Sequence, residues 1–514
     1  MTKKLIALFL ALVTCFGIFA GCKPKVTGMA GATLEIVVVW QDGVDHNGCW
    51  LTQKVEEHLD VNLNYVELDD FGTTYVTQLT DGVPPDLTWY SGYGAAYEQY
   101  GMDGAYINVL DYLDKMPNVK KHLEANSELV ERYKAANGAL YFVPQVNVGG
   151  SADGYAYLYR EDIFQKHNLT WPTNQDEFEA VLWKLKELYP NSTPFTMRQM
   201  TGTLAGASNW GFLWGASHLG GGNYNTCFTL GADGKYYCAE TSQPYTEMGQ
   251  YLQYLKSKKL LDASTFTHTT QTWTESLAAN RSFITYDKVD RIPQLNYAGK
   301  SAQGESFQLV AGLPFNMGTY ATQTSKVITS WGGKGTTGNW FIGDNDNLEA
   351  TLQYVDWMFS EEGYTMHNWG VKGESYDIDE NGKKYFLDSF IQEYSTLMNA
   401  GLNYDTLGGN WDYEAFLGVA DEKLIQSLAV GQTYQDKGHK QYQLTYNKEE
   451  RRVWDTYYSA HVSYARAEWL KCVIGQRSWD TIDKLQQELV SKYKQDKLME
   501  IHYSALERAK AGIK

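Results

Sequence analysis

Leu34-Glu35-Ile36-Val37-Val38-Val39-Trp40 is a nearly unbroken apolar, β-branched run, the pattern of a strand buried on both faces of a parallel sheet. Outward from it, the sequence predicts a helix over 48–59, a strand over 61–68, a short helix over 75–80 and a strand over 86–90 behind Pro84-Pro85. This β-α-β-α-β order calls for a parallel sheet with right-handed crossovers, the start of an α/β lobe. Strands at 139–143 and 155–159 bracket Asn147-Val148-Gly149-Gly150-Ser151, whose glycines mark a hinge. A second lobe opens with a helix over 173–189, entered through Thr173-x-x-Asp176 and carrying Phe178, Val181, Leu182 and Leu185 on one face. Strands are expected at 282–286, 307–312, 327–331 and 339–342, and a helix at 348–366. From Phe386 the chain reads as mostly helical, notably over 448–473 and 479–494. The expected division is lobe 1 from 34–146 with 275–325, and lobe 2 from 151–274 with 326–514. A second linking segment is expected near 313–322.

The 514 residues are 43% apolar and 20% charged, which suits a globular body of two or three folding units. Asp plus Glu outnumber Lys plus Arg by 61 to 44, and the net charge of −17 argues against nucleic acid as a partner. Lys3 and Lys4 precede an apolar run from Leu5 to Ala20 that is too short to span a bilayer, so residues 1–21 read as a secretory signal. The run ends in Phe19-Ala20-Gly21-Cys22, similar to the bacterial lipobox, in which the Cys is lipidated and becomes the mature N-terminus. Two acyl chains there suffice for stable anchoring. Residues 22–33 then form a tether, and the expected location is the extracellular face of the cell membrane.

Four cysteines remain after Cys15 and Cys22: Cys49, Cys227, Cys238 and Cys472, too few for a disulfide framework. Cys227 and Cys238 flank a hairpin with a Gly231 to Gly234 loop that sets them opposite each other. A bridge and a pair of small unpaired hydrophobes both fit. No Cys or His spacing suits zinc.

Leu158-Tyr159-Arg160-x-Asp162-x-Phe164, Trp171-Pro172-Thr173-Asn174-Gln175-Asp176-Glu177-Phe178, Met358-Phe359-Ser360-Glu361-Glu362-Gly363 and Trp369-Gly370-Val371-Lys372-Gly373-Glu374-Ser375-Tyr376 follow the lipobox in order. Together they resemble the extracellular solute-binding proteins of family 1, the lipoprotein substrate-binding components of sugar and oligosaccharide ABC importers. The resemblance spans nearly the whole chain. It implies a two-lobed, type II periplasmic-binding-protein fold with a hinge and a helical C-terminal region. It also implies a protein that is not an enzyme, closes on a sugar and hands it to membrane permease subunits.

A sugar cleft needs aromatic plates for C–H faces and polar side chains for hydroxyls, and open α/β sheets bind ligands at strand carboxyl ends. The 16 Trp, 38 Tyr and 19 Phe supply the plates. Candidates at predicted strand ends are Trp40, Gln41, Asp42, Trp89, Tyr90, Tyr286, Asp287 and Trp331, with Trp210 and Trp214 in a Gly-rich segment and Trp369 in the family-like motif. For each ring the competing reading is core packing. No catalytic residue, metal or cofactor is expected. Asp377-x-Asp379-x-Asn381-Gly382 with Asp388 nearly matches a calcium loop, but Asn381-Gly382 is the stronger hairpin signal. Gly333-x-Gly335-x-x-Gly338 lies between strands, which makes it a loop rather than a dinucleotide site. Two rival functions fit the composition. One is a secreted glycoside hydrolase, for which Glu374 and Asp290 are the imaginable carboxylate pair; the other is a peptide-binding lipoprotein of the same architecture.

Overall fold

The computed structural model describes residues 28–38, 44–68, 75, 77, 79, 81–90, 95–135, 137–150, 152, 154–198, 205–215, 228–230, 236–321, 338–433, 444 and 446–511. The signal segment, Cys22 and the tether up to residue 27 lie outside these residues, as do Trp40, Gln41, Asp42, Cys227 and the expected strand 327–331.

The apolar run that begins at Leu34 forms β1 (Thr33–Val38), with Leu34, Ile36, Val37 and Val38 buried. It lies between β2 (Asn62–Glu67) and β3 (Leu87–Tyr90), parallel to both. The helix Trp50–Leu59 makes the first crossover and buries Leu51, Val55 and Leu59. Each of these side chains contributes about 1.5–3 kcal/mol. Asp60 ends the helix in the left-handed region at φ 58°. Beyond β3 the sheet gains β12 (Asn339–Ile342), antiparallel to β3, and then β4 (Val143–Pro144), antiparallel to β12, giving the order β2-β1-β3-β12-β4.

The second sheet has the order β11-β6-β10-β7, formed by β6 (Tyr155–Arg160), β7 (Phe195–Thr196), β10 (Ile284–Lys288) and β11 (Leu309–Gly312). This corrects the expected division of the chain. The strands within 275–325 pair with β6 in the second lobe, whereas 339–342 returns to the first sheet, and residues up to Ala415 share the first lobe's core. A buried apolar run announces a strand but carries no mark of its partner, so the sequence left these assignments open to error.

Local capping departs from expectation in two places. Asn174, not Thr173, caps the helix Gln175–Leu188: its side chain accepts from the Glu177 amide, while Thr173 donates to the Glu177 carboxylate. The single helix expected over 348–366 is two, Leu348–Met358 and Glu361–Trp369, because the Ser360 hydroxyl accepts from the Gly363 amide and starts a new N-terminus.

The C-terminal region is helical as expected. Lys448–Ile474, capped at both ends by an Asn447–Glu450 box and by Gly475 at φ 85°, packs with Ile482–Ser491, Gln495–Lys510 and the lobe 2 helix Gln243–Ser257. The hairpin of β8 (Phe228–Leu230) and β9 (Tyr236–Cys238) joins this layer through Phe228 and Cys238. Its register sets Phe228 opposite Cys238, one residue off the expected Cys227 pairing, and the Cys238 thiol donates to Glu240. No described helix is long and apolar enough to cross a membrane.

Candidate functional site

Because β4 and β12 belong to one sheet and β6 and β11 to the other, the chain passes between the lobes three times: 145–154, 313–338 and 413–421. Both expected linking segments, 147–151 and 313–322, lie on these crossings. In the first, β5 (Asn147–Val148) pairs in parallel with β15 (Trp411–Asp412). Glycine is required where they touch. Gly149 has φ 83°, a Cβ on Gly150 would meet the Tyr413 ring at 2.4 Å, and one on Gly154 would meet the Gly431 backbone at 2.9 Å.

The segment 403–412 is a strap packed on the first lobe and leading into the hinge strand β15, and sequence reasoning missed it. Buried side chains of the first lobe hold it down. The Gln145 amide nitrogen lies 2.7 Å from each of the Asp405, Gly408 and Gly409 carbonyls, and its oxygen accepts from the Trp89 indole at 2.7 Å. Trp340 donates to the Gly408 carbonyl and Trp369 to the Asp412 carboxylate, while Trp411 donates to the Asn403 carbonyl. A Cβ on Gly338 would stand 2.4 Å from both Gln145 Oε1 and Trp89 Nε1, which gives that glycine a packing role; Gly333 and Gly335 lie outside the described residues. Three buried histidines also border the strap. His46 shares a hydrogen bond with Thr406 at 2.6 Å and pairs with Glu67, His122 lies 3.2 Å from the Asn410 amide, and His367 packs against Gly408. Burial pushes His122 and His367 down to about 4, so both are neutral at pH 7. The only sequence signal was Gly408-Gly409-Asn410-Trp411-Asp412-Tyr413, a turn followed by aromatics.

Of the expected ligand residues, Trp40, Gln41, Asp42 and Trp331 fall outside the described residues. Trp89 is buried, its indole N–H committed to Gln145, and Tyr90 follows it half-buried at the end of β3. Trp369 is buried, stacks on Phe386 at 4.8 Å and anchors the strap through Asp412. In the second lobe the structure brings Trp210, Trp214 and Tyr286 into one aromatic cluster with Tyr157, where Trp210 donates to the Tyr157 hydroxyl at 2.9 Å. Asp287, beside Tyr286, is fully engaged. Arg198 grips both its oxygens at 2.8 and 2.9 Å, the Lys288 amide donates to it as well, and the guanidinium lies over Trp273. Asp287 therefore positions Arg198 and the strand end, with no oxygen left unengaged for a sugar hydroxyl. Rings that sequence reasoning passed over are half-buried Tyr155, Trp411 and Tyr413 at the hinge, and Tyr320, 46% exposed at the start of the second crossing.

The calcium-like stretch is the expected hairpin, β13 (Tyr376–Ile378) against β14 (Lys384–Phe386). Asp379 accepts from the Asn381 and Lys383 amides within its turn, and Gly382 has φ 81°. Among the described residues no group of three His, Cys, Asp or Glu side chains is placed to hold a metal. The imagined hydrolase pair does not converge: Glu374 forms an exposed ion pair with Lys54 on lobe 1, and Asp290 lies in the turn after β10 in lobe 2.

No known protein-family profile matches the chain. The fructooligosaccharide ABC transporter substrate-binding protein FusA of Streptococcus pneumoniae serotype 4 is 23% identical over 351 residues, 64% of this chain and 61% of that protein. The chain thus aligns to about three fifths of that relative's length. Among solved structures, the alginate-binding protein AlgQ2 superposes with a TM-score of 0.73 at 22% identity, covering 93% of this chain and 98% of that one. FusA in complex with kestose gives 0.71 at 18%, over 93% and 99%. A human-milk-oligosaccharide-binding solute-binding protein of Bifidobacterium longum infantis gives 0.67 at 14%, over 93% and 98%. The chain has the two-lobed fold of ABC-importer solute-binding proteins.

Proposed function

We propose that this protein is the substrate-binding component of an ABC importer, that it captures an oligosaccharide between its lobes, and that it delivers the sugar to membrane permease subunits. The observation that carries this reading is the arrangement of two sheets joined by three crossings, in a fold that superposes over 93% of the chain on alginate-binding and kestose-bound solute-binding proteins. A ligand touching both lobes favours the closed state by its differential affinity for it. The glycine-lined contacts between 149–154 and 413–431 are where the backbone rotation is absorbed. Tyr90 from lobe 1, Tyr320 from lobe 2, and Trp40 and Trp331 at the ends of the neighbouring runs are the rings proposed to stack on sugar faces.

The test is a calorimetric screen of a soluble form beginning at Gly31 against kestose, nystose, maltotriose, mannopentaose, lacto-N-tetraose, trigalacturonate and a tripeptide mixture, with small-angle scattering at saturation. A saccharide should bind and be recovered intact, and the radius of gyration should fall. Saturable binding of peptides alone would select the peptide-binding reading, and new reducing ends would select the hydrolase.

The lipobox-like Phe19-Ala20-Gly21-Cys22 supports anchoring of the mature chain through Cys22 on the outer face of the cell membrane. Cys22→Ala should move the protein from the membrane pellet to the medium. Identical fractionation of the two forms would remove the anchor.

A further inference from the structure

Buried indole N–H groups in this chain are consistently used. Trp210, Trp273, Trp340 and Trp469 are fully buried, and each donates to a protein oxygen. Trp214 is equally buried, and its Nε1 has no hydrogen-bond partner among the described residues. Two phenols of the same cluster share this property: the hydroxyls of Tyr251 and Tyr286 are buried and have no hydrogen-bond partner among the described residues. Buried polar groups in folded proteins are nearly always bonded, so three orphans in one cluster call for an explanation.

The three groups belong to one cluster, linked through Trp210 and Tyr157. Trp214 packs on Tyr251 at 5.4 Å and on Trp210 at 5.3 Å, Trp210 bonds the Tyr157 hydroxyl, and Tyr157 meets Tyr286 at 5.2 Å across the β6–β10 pairing. The cluster lies at the hinge end of the lobe 2 sheet, beneath the start of the second crossing. There the Met317 amide donates to the Leu213 carbonyl, and Gly318 leaves no room for a Cβ over the Trp214 ring. Tyr320, the exposed ring on this crossing, follows two residues later.

We infer that Trp214 Nε1 and the hydroxyls of Tyr251 and Tyr286 belong to a lobe 2 subsite that binds the hydroxyls of an uncharged saccharide and excludes a uronate. The inference rests on the carbohydrate reading above and adds the class of sugar. An indole donor and two phenols, each both donor and acceptor, match a polyol edge. A carboxylate there would be buried without a counter-charge. The nearby guanidinium, Arg198, is neutralised by Asp287, and Asp176, Glu179 and Asp287 lie close enough to act on the two phenols.

Tyr251→Phe and Tyr286→Phe test this, because removal of an orphan hydroxyl and removal of a ligand contact have opposite signatures. The probe is whichever neutral saccharide binds most tightly in the screen, with trigalacturonate as the carboxylated control. Each variant should keep or raise the melting temperature without ligand and bind that saccharide at least fivefold more weakly, and trigalacturonate should not bind the wild type. Undiminished affinity in both variants, or trigalacturonate as the tightest ligand, would overturn the subsite while leaving carbohydrate binding intact. If the wild type binds no saccharide at all, the broader reading fails and the subsite with it. A variant that melts lower and also loses affinity counts against the subsite, since the hydroxyl then served the fold.

Discussion

Between pH 7.5 and pH 5 the folded state is expected to lose about 6 kcal/mol of stability, about 2 kcal/mol from each of three buried histidines. His122, His367 and His502 are each pushed down to about 4 by burial, from an ordinary value of 6.5. Above pH 6.5 the imidazoles are neutral in both folded and unfolded chains and have no effect on the balance. As the pH falls below 6.5 the unfolded chain takes up protons that the folded chain refuses, and stability drains away until the folded groups also titrate near 4. Carboxylates held below their ordinary range, such as Asp262 and Glu468, add to the loss only at lower pH. Urea titrations at pH 7.5, 6 and 5 measure the effect, and a triple His→Gln variant should show a much flatter dependence. Equal unfolding free energies at pH 7.5 and pH 5 in the wild type would sink the argument. Two of the three residues also border the strap, His122 through Asn410 and His367 through Gly408, so acid should loosen the strap as well as the C-terminal helix that carries His502.

The parts of this fold legible in the sequence are those with local causes. The run from Leu34 is buried on both faces and so carries no polar alternation, and β1 is where that pattern places it. The hinge glycines at 149 and 150 were visible because only glycine suits a positive φ and a ring 2.4 Å from a Cβ position. Asn381-Gly382 made a hairpin for the same kind of reason. Sheet membership was not legible: β10 and β12 are both short buried strands, and only tertiary pairing sends one to lobe 2 and the other back to lobe 1. The strap was hidden because its partners are far away in sequence, Gln145 from Gly409 by 264 positions. The abundance of Trp pointed to a ligand-facing surface. Several of those rings turn out to clamp the strap through their N–H groups, a use that composition cannot distinguish from stacking.

Gln145→Leu is expected to cost about 4 kcal/mol, more than the loss of any exposed ring, although the side chains are close in volume. Gln145 is fully buried and joins the Trp89 indole to the buried carbonyls of Gly408 and Gly409 and to the carbonyl of half-buried Asp405. Leucine fills the space and takes Gln145 away from the Trp89 indole and the buried Gly408 and Gly409 carbonyls, and each buried group that loses its partner costs about 1–3 kcal/mol. Trp340 still donates to Gly408, which moderates the total. Gln145→Glu should be worse than Leu. A carboxylate can still accept from Trp89, but it faces three carbonyl oxygens with no proton to give them and is buried without a cation. Urea unfolding gives the energies, and hydrogen exchange gives the location: amides of 403–412 should exchange faster in the Leu variant while those of β1 hold. A Leu variant within 1 kcal/mol of wild type, or Glu more stable than Leu, would show that the strap is held by its tryptophans without Gln145. If the strap does loosen, the first crossing loses its pairing partner at Trp411–Asp412, and the two lobes should then sample a wider range of openings. Small-angle scattering of the ligand-free Leu variant would read that as an increased radius of gyration. Saccharide affinity should fall with it, because part of the binding energy must then be used to restore a strap and hinge pairing that Gln145 holds ready in the wild type.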